Sequence, residues 1–375
     1  VRNRRAALCA SCILCAASPA ALAGWTDRFV DESDGQFDLS DHLLKYRGAL
    51  PIPLVITEPA IGYGGGIALA YFGQSFADRA EASRARGEPV QPPDIAMALG
   101  LGTENGTWLA GAGYMGFWDG DRWRYQGGVG KAELHLDYFS VSGQARAYKL
   151  DGTALIQQLL RRIGGSHWLA GARYTYFSTE STFESARPAD VPARALDTAI
   201  GKLGVVIDYD TRDNIFTPNR GTFFEMEAAF ARGAFGSDDH FETLNSRVFS
   251  WFPAGDFVIG VRGDAKLSRG DMPFYSEPYV VLRGVPAVRY QDRNALVAEA
   301  EVRWNVTPRW ALVAFGGAGK AYGRRQSWDQ AETVGAGGVG FRYLFARKLN
   351  LYAGIDVARG PEDTAFYLTA GSAWR

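Results

Sequence analysis

Apolar and charged side chains alternate with period two through at least a dozen stretches of this chain, the pattern of a strand with two unlike faces. Phe257, Ile259, Val261, Ala265 and Leu267 alternate with Arg262, Asp264, Lys266 and Ser268. Leu296, Ala298, Ala300, Val302, Trp304 and Val306 interleave with Glu299, Glu301, Arg303 and Asn305. Leu349, Leu351, Ala353, Ile355 and Val357 do the same with Asn350, Tyr352 and Asp356, and Ala132, Leu134, Leu136 and Tyr138 with Lys131, Glu133, His135 and Asp137. Wound as helices these stretches would scatter their charges around the circumference. As strands they gather them on one side.

The alternation, cut at turn-like breaks such as Asp119-Gly120-Asp121 and Thr307-Pro308, predicts strands over 51–57, 61–73, 94–103, 107–118, 122–138, 144–163, 166–180, 196–209, 221–232, 241–252, 256–268, 293–306, 309–319, 333–345, 348–358 and 363–374. That is about 16, an even number of the kind single-chain outer-membrane barrels favour, and most are long enough to cross a bilayer at a tilt. The intervals 122–138 and 144–163 are longer and must project or hide a turn. A soluble sandwich would give the same alternation with the apolar face inward. Aromatic strand ends (Trp118, Trp123, Trp304, Trp310, Trp374) and the absence of a helical layer favour the membrane. The expected fold is all-β: a transmembrane antiparallel β-barrel of about 16 strands over 51–375.

The start of the chain reads as an export signal. Arg2, Arg4 and Arg5 precede an apolar run from Ala6 to Ala17, and Ala21-Leu22-Ala23 supplies a small-residue cleavage site, so residues 1–23 are expected to be a secretory signal peptide. Cys9, Cys12 and Cys15 all lie inside it, which leaves no thiol beyond for a disulfide scaffold or a thiolate metal site. Residues 24–50 form a short acidic segment, expected to be periplasmic, with room for one short helix from Ser40. The most apolar later stretch, Pro59–Ala77, contains Gly64-Gly65-Gly66 and is a poor membrane helix. In lipid only helices and closed barrels satisfy their backbone groups, so the barrel remains.

Other functional signals fail in context. With 40 basic and 41 acidic residues there is no electrostatic case for nucleic acid. Two dinucleotide-like glycine patterns, Gly111 to Gly116 and Gly335 to Gly340, fall inside alternating strands and not at the opening of a helix, in a chain with 45 glycines. His42, His135, His167 and His240 are too dispersed for a zinc site. No cofactor, metal or catalytic constellation is expected. Arg79, Glu81, Arg84, Arg86 and Glu88, beside Pro89, Pro92 and Pro93, are read as a solvated loop.

Two segments resemble the barrel domain of the bacterial surface-antigen family, the superfamily of BamA- and TamA-like outer-membrane assembly factors. In the first, a strand ends in Asp210-Thr211-Arg212-Asp213-Asn214 and a turn through Pro218 and Gly221 leads into the next strand. In the second, Leu282-Arg283-Gly284-Val285 precedes a strand bearing Glu299, Glu301 and Arg303. It is similar to the family's V-R-G-[FY] motif, which the resemblance places on an extracellular loop folded into the lumen. Thr57-Glu58-Pro59-Ala60-Ile61-Gly62-Tyr63-Gly64 also resembles the family. The closing strand, with Phe366, Leu368, Ala370, Ser372 and Trp374 on one face, resembles the signal read by barrel-assembly machinery, although Arg375 follows the aromatic residue. The chain departs from the family in three places. Gly317 stands where the family has a lumenal aspartate, Val285 replaces the motif aromatic, and residues 24–50 leave no space for POTRA domains.

A desolvated guanidinium on such a loop needs a carboxylate. Arg283 is therefore expected to pair with Glu299, Glu301, Asp264 or Asp208, as a structural latch first and a gate second. The resemblance implies a non-catalytic, POTRA-less outer-membrane barrel that assists lipid or protein transport or insertion, with outer-membrane lipid and the assembly machinery as partners. The competing functions are a passive diffusion channel and, ranked after it, an outer-membrane hydrolase.

Overall fold

The computed structural model describes residues 29–87, 92–140 and 144–374. The expected signal peptide, residues 1–23, lies outside them. Sixteen strands form one antiparallel sheet in strict chain order, curled into a nearly closed barrel. They are β1 (Gly48–Glu58), β2 (Gly62–Phe72), β3 (Ile95–Thr103), β4 (Trp108–Trp118), β5 (Trp123–Phe139), β6 (Ala145–Arg162), β7 (Trp168–Phe183), β8 (Asp197–Asp210), β9 (Gly221–Ala231), β10 (Phe241–Ala254), β11 (Phe257–Gly270), β12 (Asn294–Asn305), β13 (Trp310–Tyr322), β14 (Val334–Ala346), β15 (Leu351–Arg359) and β16 (Thr364–Ala370). No described helix is long and apolar enough to cross a membrane.

Cross-strand partners share a face, so the register assigns every side chain to the inside or the outside. Arg262 pairs with Glu299 and Arg247 with Asp264, which puts the ionic face inward. Val248, Ile259, Val261, Val302, Trp304 and Leu312 lie exposed on the other face. An apolar band this extensive on a folded surface calls for hydrocarbon around it.

β5, β6 and β7 run unbroken for 17, 18 and 16 residues, with no hidden turn, so their far ends stand beyond the others. There the faces invert. Lys131, Glu133 and His135 point outward, and Lys131 and Lys149 pair with Asp151 and Glu133. Tyr138, Tyr148 and Phe183 point inward and pack on Phe274 of the β11–β12 connection. Water on both sides of the wall requires a small core of its own, and these rings supply it.

Two sequence expectations need correction. Residues 79–88 were expected as a loop, yet Phe76–Ala85 is a helix, α2 in chain order after α1 (Ser40–Lys45). Ser75 Oγ accepts from the Asp78 amide and Asp78 returns a bond to the Ser75 amide, a reciprocal cap that holds a short polar helix. The closing strand ends at Ala370 and does not reach Trp374. Gly371 adopts φ +82° and turns the chain inward. Phe366 and Leu368 stay 49% and 53% exposed on the outer face, while Trp374 is 5% exposed inside, against Phe249 and Trp251. The three residues therefore do not share one face.

Residues 29–45 close against the turns at one end of the barrel. Arg309, in the β12–β13 turn, is fully buried between Asp31, Asp34 and Asp38, and Arg347 and Lys348 in the β14–β15 turn pair with Asp31 and Asp41.

Candidate functional site

The connection from β11 to β12 supplies Arg283. Within it Val280 N donates to Tyr290 O and Asp292 N to Pro278 O, so 278–292 doubles back as an irregular hairpin. Val280, Leu282 and Val285 bury themselves against Val297 and Val334 of the barrel wall. Gly284 N donates to Tyr367 Oη at 2.9 Å, and Ala287 N to Glu58 Oε1 at 3.0 Å. Asp292 accepts from the amides of Arg324, Arg325 and Gln326, and Glu277 pairs with both arginines.

Arg283 meets three carboxylates. Its Nε and Nη2 donate to Glu299 Oε1 at 3.0 and 2.6 Å, and Nη1 donates to Asp356 Oδ2 at 2.8 Å. Glu301 Oε2 lies 2.8 Å away as an ion pair without hydrogen-bond alignment. The guanidinium also lies 3.5 Å from the centroid of Phe315. Around this centre Arg262 bridges Asp264 and Glu299, and Arg342 holds Asp356 through two bonds. Trp374 Nε1 donates to the remaining Glu299 oxygen at 3.1 Å. Four carboxylates and three guanidiniums thus form one connected network in which low dielectric strengthens each contact.

Of the four candidate acids, Glu299 and Glu301 touch Arg283, Asp264 reaches it through Arg262, and Asp208 belongs elsewhere. Asp208 is buried on β8 opposite Glu225, near Arg173, and its Oδ1 has no hydrogen-bond partner among the described residues. Sequence reasoning missed Asp356. It stood on the polar side of the β15 alternation, but nothing local joins it to a residue 73 positions earlier. Gly317 explains the exchange. A Cβ there would sit 2.9 Å from Leu282 Cδ2 and 2.6 Å from Ala298 O, so the space of a β13 aspartate is filled by Leu282 and the carboxylate comes from β15.

Gly284 is fixed by backbone. It has φ +91°, and a Cβ would lie 3.0 Å from Gly360 N and 3.1 Å from Arg359 C, neither of which can swing aside. Gly284→Ala is expected to destabilise the barrel by about 1–3 kcal/mol, read as an earlier loss of the compact band when samples are heated before electrophoresis. Unchanged heat resistance would show that the hairpin tip is not held as described.

The β8–β9 turn builds its own scaffold. Asp210 binds Arg212 at 2.9 Å and Arg124 at 3.2 Å, and Arg212 lies over Phe223. Asp213 accepts from the amides of Asn219 and Arg220, and Asn214 from those of Phe216 and Thr217. Asn214 Nδ2 reaches Leu349 O, and Asn350 Nδ2 reaches Thr217 O beside buried Pro218. Gly221, at φ +103°, packs on Thr211 O. Ser372 N donates to Phe216 O, so this turn also anchors the inward-turning terminus.

The seam is the other special place. β1 and β16 end the sheet side by side, without a backbone ladder between them among the described residues. Glu104 N donates to Tyr63 O, so odd-numbered residues of β2 bond to β3 and even-numbered ones to β1. The β1–β2 register then leaves odd-numbered residues of β1 facing the seam. Pro51 and Pro53 are two of these, and neither has an N–H to offer. On the far side Gly371 N donates to Tyr352 O, which leaves Thr364, Phe366, Leu368 and Ala370 facing the seam.

No protein-family model matches the chain, and no curated protein matches it in sequence. Solved structures do. The barrel is similar to BamA from Haemophilus ducreyi lacking POTRA domains 1–3, with TM-score 0.57 and 10% identity over 87% of this chain and 70% of that one. It is also similar to CdiB from Acinetobacter baumannii (TM-score 0.55, 14% identity, 86% of this chain) and CdiB from Escherichia coli (0.58, 9%, 86%). The chain spans 59% and 62% of those two CdiB chains. At such identities the likeness is one of fold: this is a barrel of the BamA and CdiB type.

Proposed function

We propose that this chain is an outer-membrane barrel that assists the movement or insertion of lipid or protein at the membrane, without catalysis, and that segment 271–293 occupies its lumen. The observation that carries this reading is the seam. A barrel built only to enclose a channel gains from zipping its last strand to its first, because an open edge is a liability. Here β16 has seven residues, the chain leaves the wall at Gly371, and β1 presents two prolines to the gap. The fold shared with the BamA and CdiB barrels supports the same reading, as does the Arg283 network, which would hold the lumenal segment while the seam works.

A cysteine pair across the seam tests it. With residues 1–23 removed the protein has no native thiol, so Val55→Cys can be combined with Phe366→Cys or Leu368→Cys and oxidised. Protein in vesicles is expected to speed the exchange of fluorescent phospholipid between leaflets, or the insertion of a second barrel. Oxidation should abolish the gain and reductant restore it. Equal rates in both states would remove the seam from the mechanism. Steady ion conductance unaffected by oxidation would favour the diffusion channel.

A further inference from the structure

The inside of the barrel is ionic along one side only. Followed strand by strand, the register puts Leu50, Ile52, Leu54 and Ile56 of β1 on the same face as Glu58, Glu227 and Glu299. Beside them the inner face of β2 from 64 to 70 is two glycines and two alanines. β3 adds Met97, Leu99 and Leu101, and β4 adds Leu109 and Met115 around two glycines. No ionisable side chain interrupts this arc between its two rims. The outer face of the same strands is apolar as well, with Tyr63, Ile67, Leu69 and Tyr71 exposed. From β7 onward the inner wall instead carries Arg173, Glu225, Glu227 and Arg247.

An apolar wall facing a water-filled lumen is costly, at about 25 cal/mol for each Å² left wet. Ile52 and Met97 point inward and are still 39% and 41% exposed. The arc begins at the free edge of β1, so hydrocarbon outside and the apolar wall inside are separated only by the width of the seam. Pro51 and Pro53 keep that edge from being sealed by a full ladder. Glycine and alanine on β2 leave room for a chain to lie against the wall.

We propose that the inner wall of β1 to β4 is an acyl-chain site. A phospholipid of the surrounding bilayer passes a tail around the β1 edge and lays it along Leu54, Leu99 and Leu109, while its headgroup stays at the aqueous mouth. This rests on the outer-membrane reading above and names the class of molecule that the seam admits.

Spin labels test the site without asking for transport. Single cysteines replace Leu99 on the apolar arc, Ile67 on the outer face and Asn245, which lines the ionic inner wall beside Glu227 and Arg247, in protein lacking residues 1–23. Each is labelled and reconstituted in vesicles of phosphatidylethanolamine and phosphatidylglycerol, after the heat-dependent gel shift confirms a folded barrel. Dissolved oxygen should broaden the signal at Leu99 as it does at Ile67, and a water-soluble nickel chelate should leave both unaffected while broadening Asn245. Oxidising the seam pair before vesicles are formed should turn the Leu99 label aqueous. A Leu99 label as open to nickel as Asn245 in the unlocked protein would overturn the proposal. Should Leu99 sit in hydrocarbon while leaflet exchange stays at background, the acyl site stands and the transport reading falls.

Discussion

Arg283→Ala should lower the stability of the folded barrel by about 3–5 kcal/mol, the loss expected when one partner of a buried ion pair is removed. The size follows from what stays behind. Glu299, Glu301 and Asp356 would all face the vacated space, and among the described ion pairs Arg262 and Arg342 would remain to neutralise Glu299, Asp356 and Asp264. Arg283→Lys keeps the charge but cannot span Glu299 and Asp356 with one planar fork, so it should fall between the two. Urea unfolding in lipid vesicles provides the measurement. The contrast that isolates the charge is the double variant Arg283→Met with Glu299→Gln, which should recover part of the loss because fewer uncompensated carboxylates remain. Were Arg283→Ala to unfold at the parent's urea concentration, the network would be decoration on a segment held by Val280, Leu282 and Val285 alone.

The strands were legible because period two is a local property. Each run of alternating residues announces its own faces, and all sixteen intervals recur within a few positions, the last one shortened by Gly371. The Arg283 partners were only half legible. Glu299 and Glu301 follow the motif closely on the next strand, whereas Asp356 meets Arg283 through barrel curvature, which no spacing encodes. The apolar inner arc was invisible for a related reason. Where both faces are apolar the alternation vanishes, and an apolar residue was assigned to lipid by default; only the register tells Leu54 from Val55. Helix α2 had a signal that went unread, since Ser75 and Asp78 stand at the spacing of a reciprocal cap.

Arg309→Ala is expected to release residues 29–45 from the barrel end. Three carboxylates converge on this one cation: Asp34 at 2.5 Å, Asp31 at 2.8 Å, and Asp38, which also accepts from the Arg347 amide. Arg347 would remain for Asp31, but Asp34 and Asp38 would lose their only guanidinium among the described residues. The same clamp fixes a pH dependence. The Arg347 bond and the Ser33 contacts hold Asp31 well below the ordinary value of 3.8, and the Arg309 bond lowers Asp34. Asp38 is lowered too, its bonds to Ser40 and Arg309 outweighing the opposing effect of burial. A carboxylate with a depressed folded pKa contributes in full above its unfolded value and loses that contribution as pH falls through the folded one. Hydrogen exchange should therefore find the amides of 38–45 as protected at pH 5 as at pH 7, with protection failing only once pH drops below the ordinary aspartate range. In Arg309→Ala protection should already be low at pH 7. The variant separates this clamp from the aromatic contacts Phe29–His42 and His42–Tyr46, which it leaves untouched. If protection survives in the variant, those rings and not the charges hold the segment, and the acidic composition of 24–50 has no part in closing the barrel end.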